Sequence, residues 1–127
     1  MDLSTVDQIW NRAALESGGE NAREGDLALS NLLFFHGMVE NGGLGHGYDV
    51  LSDEELIAAI KGFRFFGLHE LASFIEEAAH LSEDEQEEMS WKYAELVPTD
   101  EKLSDSFELY YSTNPEAFAP LQDANHQ

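Results

Sequence analysis

A chain of 127 residues that carries 26 Asp and Glu against six Lys and Arg has a formal net charge of −20, far outside the magnitude of about 2 to 8 usual for a small soluble domain. Such a charge opposes direct binding to DNA, RNA or an anionic lipid surface, because a second polyanion adds repulsion and gains no counterion release from it. The 43% apolar content, with eight Phe, four Tyr and two Trp, excludes a disordered acidic tail, and the absence of cysteine removes disulfides, thiolate nucleophiles, iron–sulfur clusters and cysteine–zinc sites together.

The length suits a single helical domain over residues 1–120, with a frayed tail over 121–127. No apolar run nears the ~18 residues needed to cross a bilayer. The opening MDLSTVDQIW lacks the basic and apolar regions of a secretory signal, so a cytoplasmic location is the expectation.

A first helix is predicted from about Leu3 to Ser17. Ser4 and Asp7 have capping-box spacing, Val6, Ile9, Trp10, Ala13 and Ala14 recur at helical intervals, and Gly18-Gly19 stops the run. A second helix, about Asp26 to Glu40, is apolar on more than one face: Leu29, Leu32, Leu33, Phe35 and Val39 cover one side, and Phe34 and Met38 extend it. That breadth marks it as the central helix. Asn41-Gly42-Gly43-Leu44-Gly45-His46-Gly47-Tyr48 then holds four glycines in eight positions, which predicts a glycine-rich loop, with room for a short extended piece over Leu44 to Leu51.

Ser52 and Glu55 form a capping box ahead of a third helix, with Leu56, Ile57, Ile60, Phe63 and Phe66 as its buried stripe and Gly67 as its end. A fourth, about Leu68 to His80, presents Leu71, Ala72, Phe74, Ile75, Ala78 and Ala79; so short a connection makes the two an antiparallel hairpin. Ser82 and Glu85 repeat the capping box for a segment that continues to Leu96 before Pro98. Thr99 caps a last helix through Leu103, Phe107, Tyr110 and Tyr111, and Asn114-Pro115 breaks it or starts a further turn. Trp91 and Phe107 are read as core, and one of the two adjacent tyrosines is left to reach a partner or a dimer mate. The expected fold is therefore all-α: a compact single domain of about five to six helices with a glycine-rich loop after the second.

Asn41-Gly42-Gly43 after an aromatic-rich helix, followed by Ile60-Lys61-Gly62-Phe63-Arg64-Phe65-Phe66-Gly67-Leu68-His69-Glu70-Leu71-Ala72-Ser73-Phe74-Ile75-Glu76-Glu77-Ala78, resembles the family of bacterial DNA-mimic proteins related to the Neisseria protein of about nineteen kilodaltons. The resemblance covers residues 27–80, and Leu103 to Pro115 more loosely. It implies a helical, dimeric, acidic protein whose surface imitates DNA phosphates and occupies a DNA-binding regulator. This chain departs from the family pattern after the paired glycines, where Leu44 and then Gly45-His46-Gly47-Tyr48 stand in place of an aromatic residue.

The segment Ser82 to Glu108 contains ten acidic residues and two basic ones. Carboxylates on successive helical turns lie ~5–6 Å apart, broadly comparable with the ~7 Å phosphate repeat of one DNA strand. Glu83, Asp84, Glu85, Glu87, Glu88, Glu95, Asp100, Glu101, Asp105 and Glu108 are accordingly the partner-binding candidates. The reading is an acidic protein-binding module, extending to a DNA mimic that occupies a basic or DNA-binding protein, with homodimerisation and no cofactor. A halophilic source or selection for solubility would produce a similar surface.

The alternative is a small carboxylate- or metal-dependent enzyme using the glycine-rich loop, in which His36, Glu40 and His46 form the cluster. His36 and Glu40 share a helix face at i and i+4. Against it, His36, His46, His69, His80 and His126 are scattered, and no His-Glu-x-x-His, P-loop or nucleophile elbow is present, so no catalytic or metal residue is assigned.

Overall fold

The computed structural model describes residues 4–121, and every regular element among them is helical. In chain order these are α1 (Thr5–Glu16), α2 (Glu24–Gly42), α3 (Leu44–Val50), α4 (Asp53–Phe65), α5 (His69–Ala78), α6 (Glu83–Glu88), α7 (Ser90–Leu96) and α8 (Glu101–Thr113), followed by a 3-10 turn at Pro115–Ala117. The all-α class stands, but eight α-helices among the described residues replace the expected five to six. One added helix is α3, which occupies the segment expected to be a loop with an extended piece. The other arises because Ser82 to Leu96 is divided at Met89, whose φ of −87° and ψ of 2° tighten the backbone between α6 and α7.

Several boundaries follow from local chemistry. The Ser52 and Ser82 side chains accept from the backbone N–H of Glu55 and Glu85, and each glutamate accepts in return from the serine backbone N–H at 2.8 and 3.1 Å. Ser4 caps α1 through the Asp7 N–H at 3.2 Å. The cap of α8 is Asp100, one residue beyond the expected Thr99.

The second helix is central, packing most extensively along α4 and then against α3 and α1, while α4 and α5 form the expected hairpin. Leu29, Leu32, Phe35 and Val39 are its buried face, and among the described residues the buried apolar side chains other than Ala119 form one contiguous cluster. Phe35 is ringed by Tyr48, Phe63 and Tyr93 with centroids 5.5 to 6.4 Å away. A second aromatic nest gathers Phe66, Phe107, Tyr110 and Tyr111 around Phe118. Both tyrosines pack on Phe118 and both remain half-buried, so the contact does not single out one of them as the outward-reaching residue. Ile57, at 54% exposure, and Trp91, at 59%, are surface residues and not core.

At the edge of this nest lies a fully buried carboxylate. Asp26, in the first turn of α2, accepts from the Arg12 guanidinium at 2.7 Å, the Arg23 backbone N–H at 2.9 Å and the Ala119 backbone N–H at 2.7 Å. Arg12 also donates to the Ala119 carbonyl at 2.9 Å. One side chain thus ties α1, α2 and the segment after the last turn. Leu121 packs against the core, while the remainder of the expected tail lies outside the described residues.

Candidate functional site

The glycine-rich segment is helical because its glycines serve close approach. An added Cβ on Gly47 would fall 2.9 Å from both Phe35 and Val39 of α2, so the missing side chain lets α3 lie on the central helix. Gly43, at φ 92°, makes the turn between α2 and α3, and its open face is filled by the Glu87 carboxylate of α6. Glu87 accepts from the Gly45 N–H at 2.9 Å, and Ser90 Oγ accepts from the Leu44 N–H at 3.0 Å, so the acidic segment supplies the groups that satisfy the start of α3. His46 sits on α3 with its ring against Gly42. It is not among the residues gathered around His36, and the expected His36–Glu40–His46 cluster does not form.

What forms instead centres on His36 and a residue chosen from sequence only for its charge. The buried imidazole leaves α2 with Nδ1 2.8 Å from the Tyr93 hydroxyl and Nε2 2.8 Å from Asp100 Oδ1; Glu40 lies 3.9 Å from Nε2. Donor atoms of His36, Glu40 and Asp100 all lie within 4.8 Å of one another. With Asp100 ionised, Nε2–H donates to it and Nδ1 of a neutral ring accepts from the Tyr93 hydroxyl, a tautomer assigned from the network. Burial pushes the Tyr93 phenol well above its ordinary range, and the charges of Glu40, Tyr48 and Asp100 add to the shift, so the hydroxyl keeps its proton. Both ring nitrogens are engaged by protein groups, Nδ1 by a buried hydroxyl and Nε2 by an exposed carboxylate.

This cluster borders a groove of ≈ 780 Å³ between α1 and α2, whose apolar wall includes Trp10, Leu27, Leu33, Phe34 and Met38 and whose polar rim includes Glu40, Glu55 and Asp100. Leu27 and Phe34 are 48% and 40% exposed. Sequence reading took Phe34 and Met38 as an extension of the buried face; they face the groove.

All ten candidate carboxylates of the Ser82–Glu108 segment are exposed. Three have internal duties: Glu85 closes the α6 capping box, Glu87 holds the start of α3, and Asp100 holds His36. Hydrogen bonds from the Ser82 backbone, and then from its side chain, lower the Glu85 carboxyl below its usual range. The other seven make no hydrogen bond or ion pair among the described residues. The arginines are engaged outside the segment, Arg12 with Asp26, Arg64 with Glu76 and Arg23 with the Glu116 carbonyl, and of the two lysines within it Lys92 stands 5.6 Å over the Phe74 ring. No carboxylate of the segment is paired with a Lys or Arg. Exposed Trp91 and Glu95 lie one turn apart on α7.

A family model described as DMP19-like protein matches residues 20–124. No curated protein and no solved structure matches the chain.

Proposed function

We propose, since this chain belongs to the DMP19-like protein family, that it is an acidic protein-binding module whose Ser82–Glu108 face occupies a basic, DNA-binding protein in place of DNA. The observation that carries this reading is the set of seven exposed carboxylates, Glu83, Asp84, Glu88, Glu95, Glu101, Asp105 and Glu108, that no Lys or Arg neutralises. Unpaired surface charge of one sign steers and orients a complementary partner. Exposed Trp91 within the same segment adds an aromatic anchor of the type that dominates interface energy.

Pulldown of a basic partner, followed by salt-dependent titration, tests the reading. Changing Glu88, Glu95, Glu101, Asp105 and Glu108 together to their amides is expected to weaken binding at least tenfold at low salt and to flatten its salt dependence. The melting temperature should hold, because none of the five has an internal partner. Recovered binding that DNA does not compete with, or that survives the five changes intact, overturns mimicry.

Self-association as a dimer belongs to the same reading. Two chains bring a formal charge of −40 together, twice the −20 of one, so the contact needs an apolar centre, such as the wall carrying Leu27 and Phe34, with the carboxylates outside it. Added salt should then strengthen the dimer or leave it unchanged. In sedimentation equilibrium, a monomer mass at low and moderate salt removes the dimer, and dissociation on adding salt contradicts the apolar contact.

A further inference from the structure

We propose that His36, Glu40 and Asp100 form a binding site for one divalent cation of the zinc class at the polar end of the α1–α2 groove. The donor set is one imidazole nitrogen and two carboxylates, and its members come from positions that the fold fixes. His36 and Glu40 are one turn apart on α2, and Asp100 is brought to them from 64 residues away by the cap of α8.

The imidazole is held as a metal-binding ring is held. Metal-ligating histidines donate their second ring N–H to a protein group that sets ring orientation; here Nε2 points toward the carboxylates, and on metal binding the ring proton passes from Nε2 to Nδ1, which then donates to the Tyr93 hydroxyl 2.8 Å away. The ring is rigid, its side chain only 7% exposed, whereas the Glu40 and Asp100 side chains are 61% and 68% exposed and free to swing. Two donors on an ion with bonds of ~2.0–2.1 Å in tetrahedral geometry lie about 3.3 Å apart. Nε2 and Asp100 Oδ1 are now 2.8 Å apart, sharing a proton, and Glu40 is 3.9 Å away. An ion replacing that proton therefore asks Asp100 to retreat from Nε2 and Glu40 to advance on it by roughly half an ångström each, and the two exposed carboxylates, now within 4.8 Å of each other, to close to the same spacing by side-chain rotation.

The mixed donor set chooses the ion. An imidazole with two carboxylates suits zinc and its first-row neighbours, while magnesium and calcium favour all-oxygen shells. Two carboxylates balance the charge of the dication, and the strongly negative surface raises its local concentration. Three protein donors leave at least one position open, and that position faces the groove, where water or a donor atom of a docked molecule completes the shell. The site rests on donor geometry and is independent of DNA mimicry.

The test is calorimetric titration of the full chain with Zn²⁺ in ~0.3 M NaCl, where diffuse binding to exposed carboxylates is screened. One ion per chain is expected. Asp100→Asn and Glu40→Gln should each weaken it at least tenfold, and Tyr93→Phe 10- to 100-fold; Glu101→Gln and Asp105→Asn, which remove the same charge nearby, should change it less than threefold. The two carboxylate positions are exposed, so the test survives even if a His36 variant misfolds. In the unaltered chain, paramagnetic Co²⁺ should perturb the His36 ring resonances first. A stoichiometric ion retained by Asp100→Asn and Glu40→Gln, binding that all carboxylate variants weaken alike, or perturbation of His46 or His69 ahead of His36 would overturn the site.

Discussion

Asp26→Ala is expected to cost about 3–5 kcal/mol of folding stability, the range for removing one member of a buried ion pair. The carboxylate is wholly inaccessible to solvent and accepts three hydrogen bonds, from Arg12, Arg23 and Ala119. Its loss leaves a guanidinium that is only 14% exposed, and whose Nε already lacks a partner, with no counter-charge. The penalty arises from that stranded charge more than from the lost attraction. Arg12→Met combined with Asp26→Ala should therefore recover a substantial part of the loss, giving a coupling energy of opposite sign to the single changes. Urea unfolding of the single and double variants decides the matter. A single-variant loss below about 1 kcal/mol, or strictly additive changes, contradicts this account of the network.

Gly62→Ala should lower stability by about 2–3 kcal/mol, although alanine is the better helix former by ~1 kcal/mol. Gly62 is buried in α4 where that helix lies on α2. A Cβ there would meet the Ala28 carbonyl carbon at 3.3 Å and its oxygen closer still, nearer than carbon atoms come to a backbone oxygen. The obstacle is backbone, which cannot rotate away, so the two most extensively packed helices must separate along the core. The control is Gly37→Ala, in the exposed stretch of α2 where an added Cβ meets nothing within 4 Å; it should stabilise by ~0.5–1 kcal/mol. Thermal unfolding should place the two variants on opposite sides of the parent chain, with Gly62→Ala lower by ~8–12 °C. Equal or same-signed shifts would show that helix propensity, and not crowding, governs both positions.

The features that sequence made legible are local. Ser52 with Glu55 and Ser82 with Glu85 mark helix starts because both halves of each box lie within one turn. The Leu29–Leu32–Val39 spacing marks the buried face of α2 for the same reason. The glycines of 42 to 47 misled because composition does not separate a glycine needed for a turn from one needed for contact, and Gly47 is of the second kind. Trp91 misled because a large aromatic residue in a short helix matches core and surface equally until its neighbours are placed.

The candidate site was legible only in half. His36 and Glu40 are paired by helical spacing, but Tyr93 and Asp100 reach His36 across 57 and 64 residues, and nothing in their own surroundings in the chain announces it. Asp26 reads as an ordinary acidic residue in a first turn; only the packing of α1 and of the segment after the 3-10 turn against it reveals it as a hub.

That hub also bears on the order of events in folding. The α1–α2, α2–α3 and α4–α5 pairs are neighbours in sequence, whereas the Asp26–Ala119 hydrogen bond closes a loop of 93 residues. Such a closure costs about 4 kcal/mol of chain entropy by the logarithmic length dependence, so local hairpins have every advantage in forming first and the clasp shuts after the transition state. An interaction made that late slows escape from the native state without hastening arrival. The Asp26→Ala loss should accordingly fall on the unfolding limb of the chevron, which makes this carboxylate the residue that sets how long the protein stays folded.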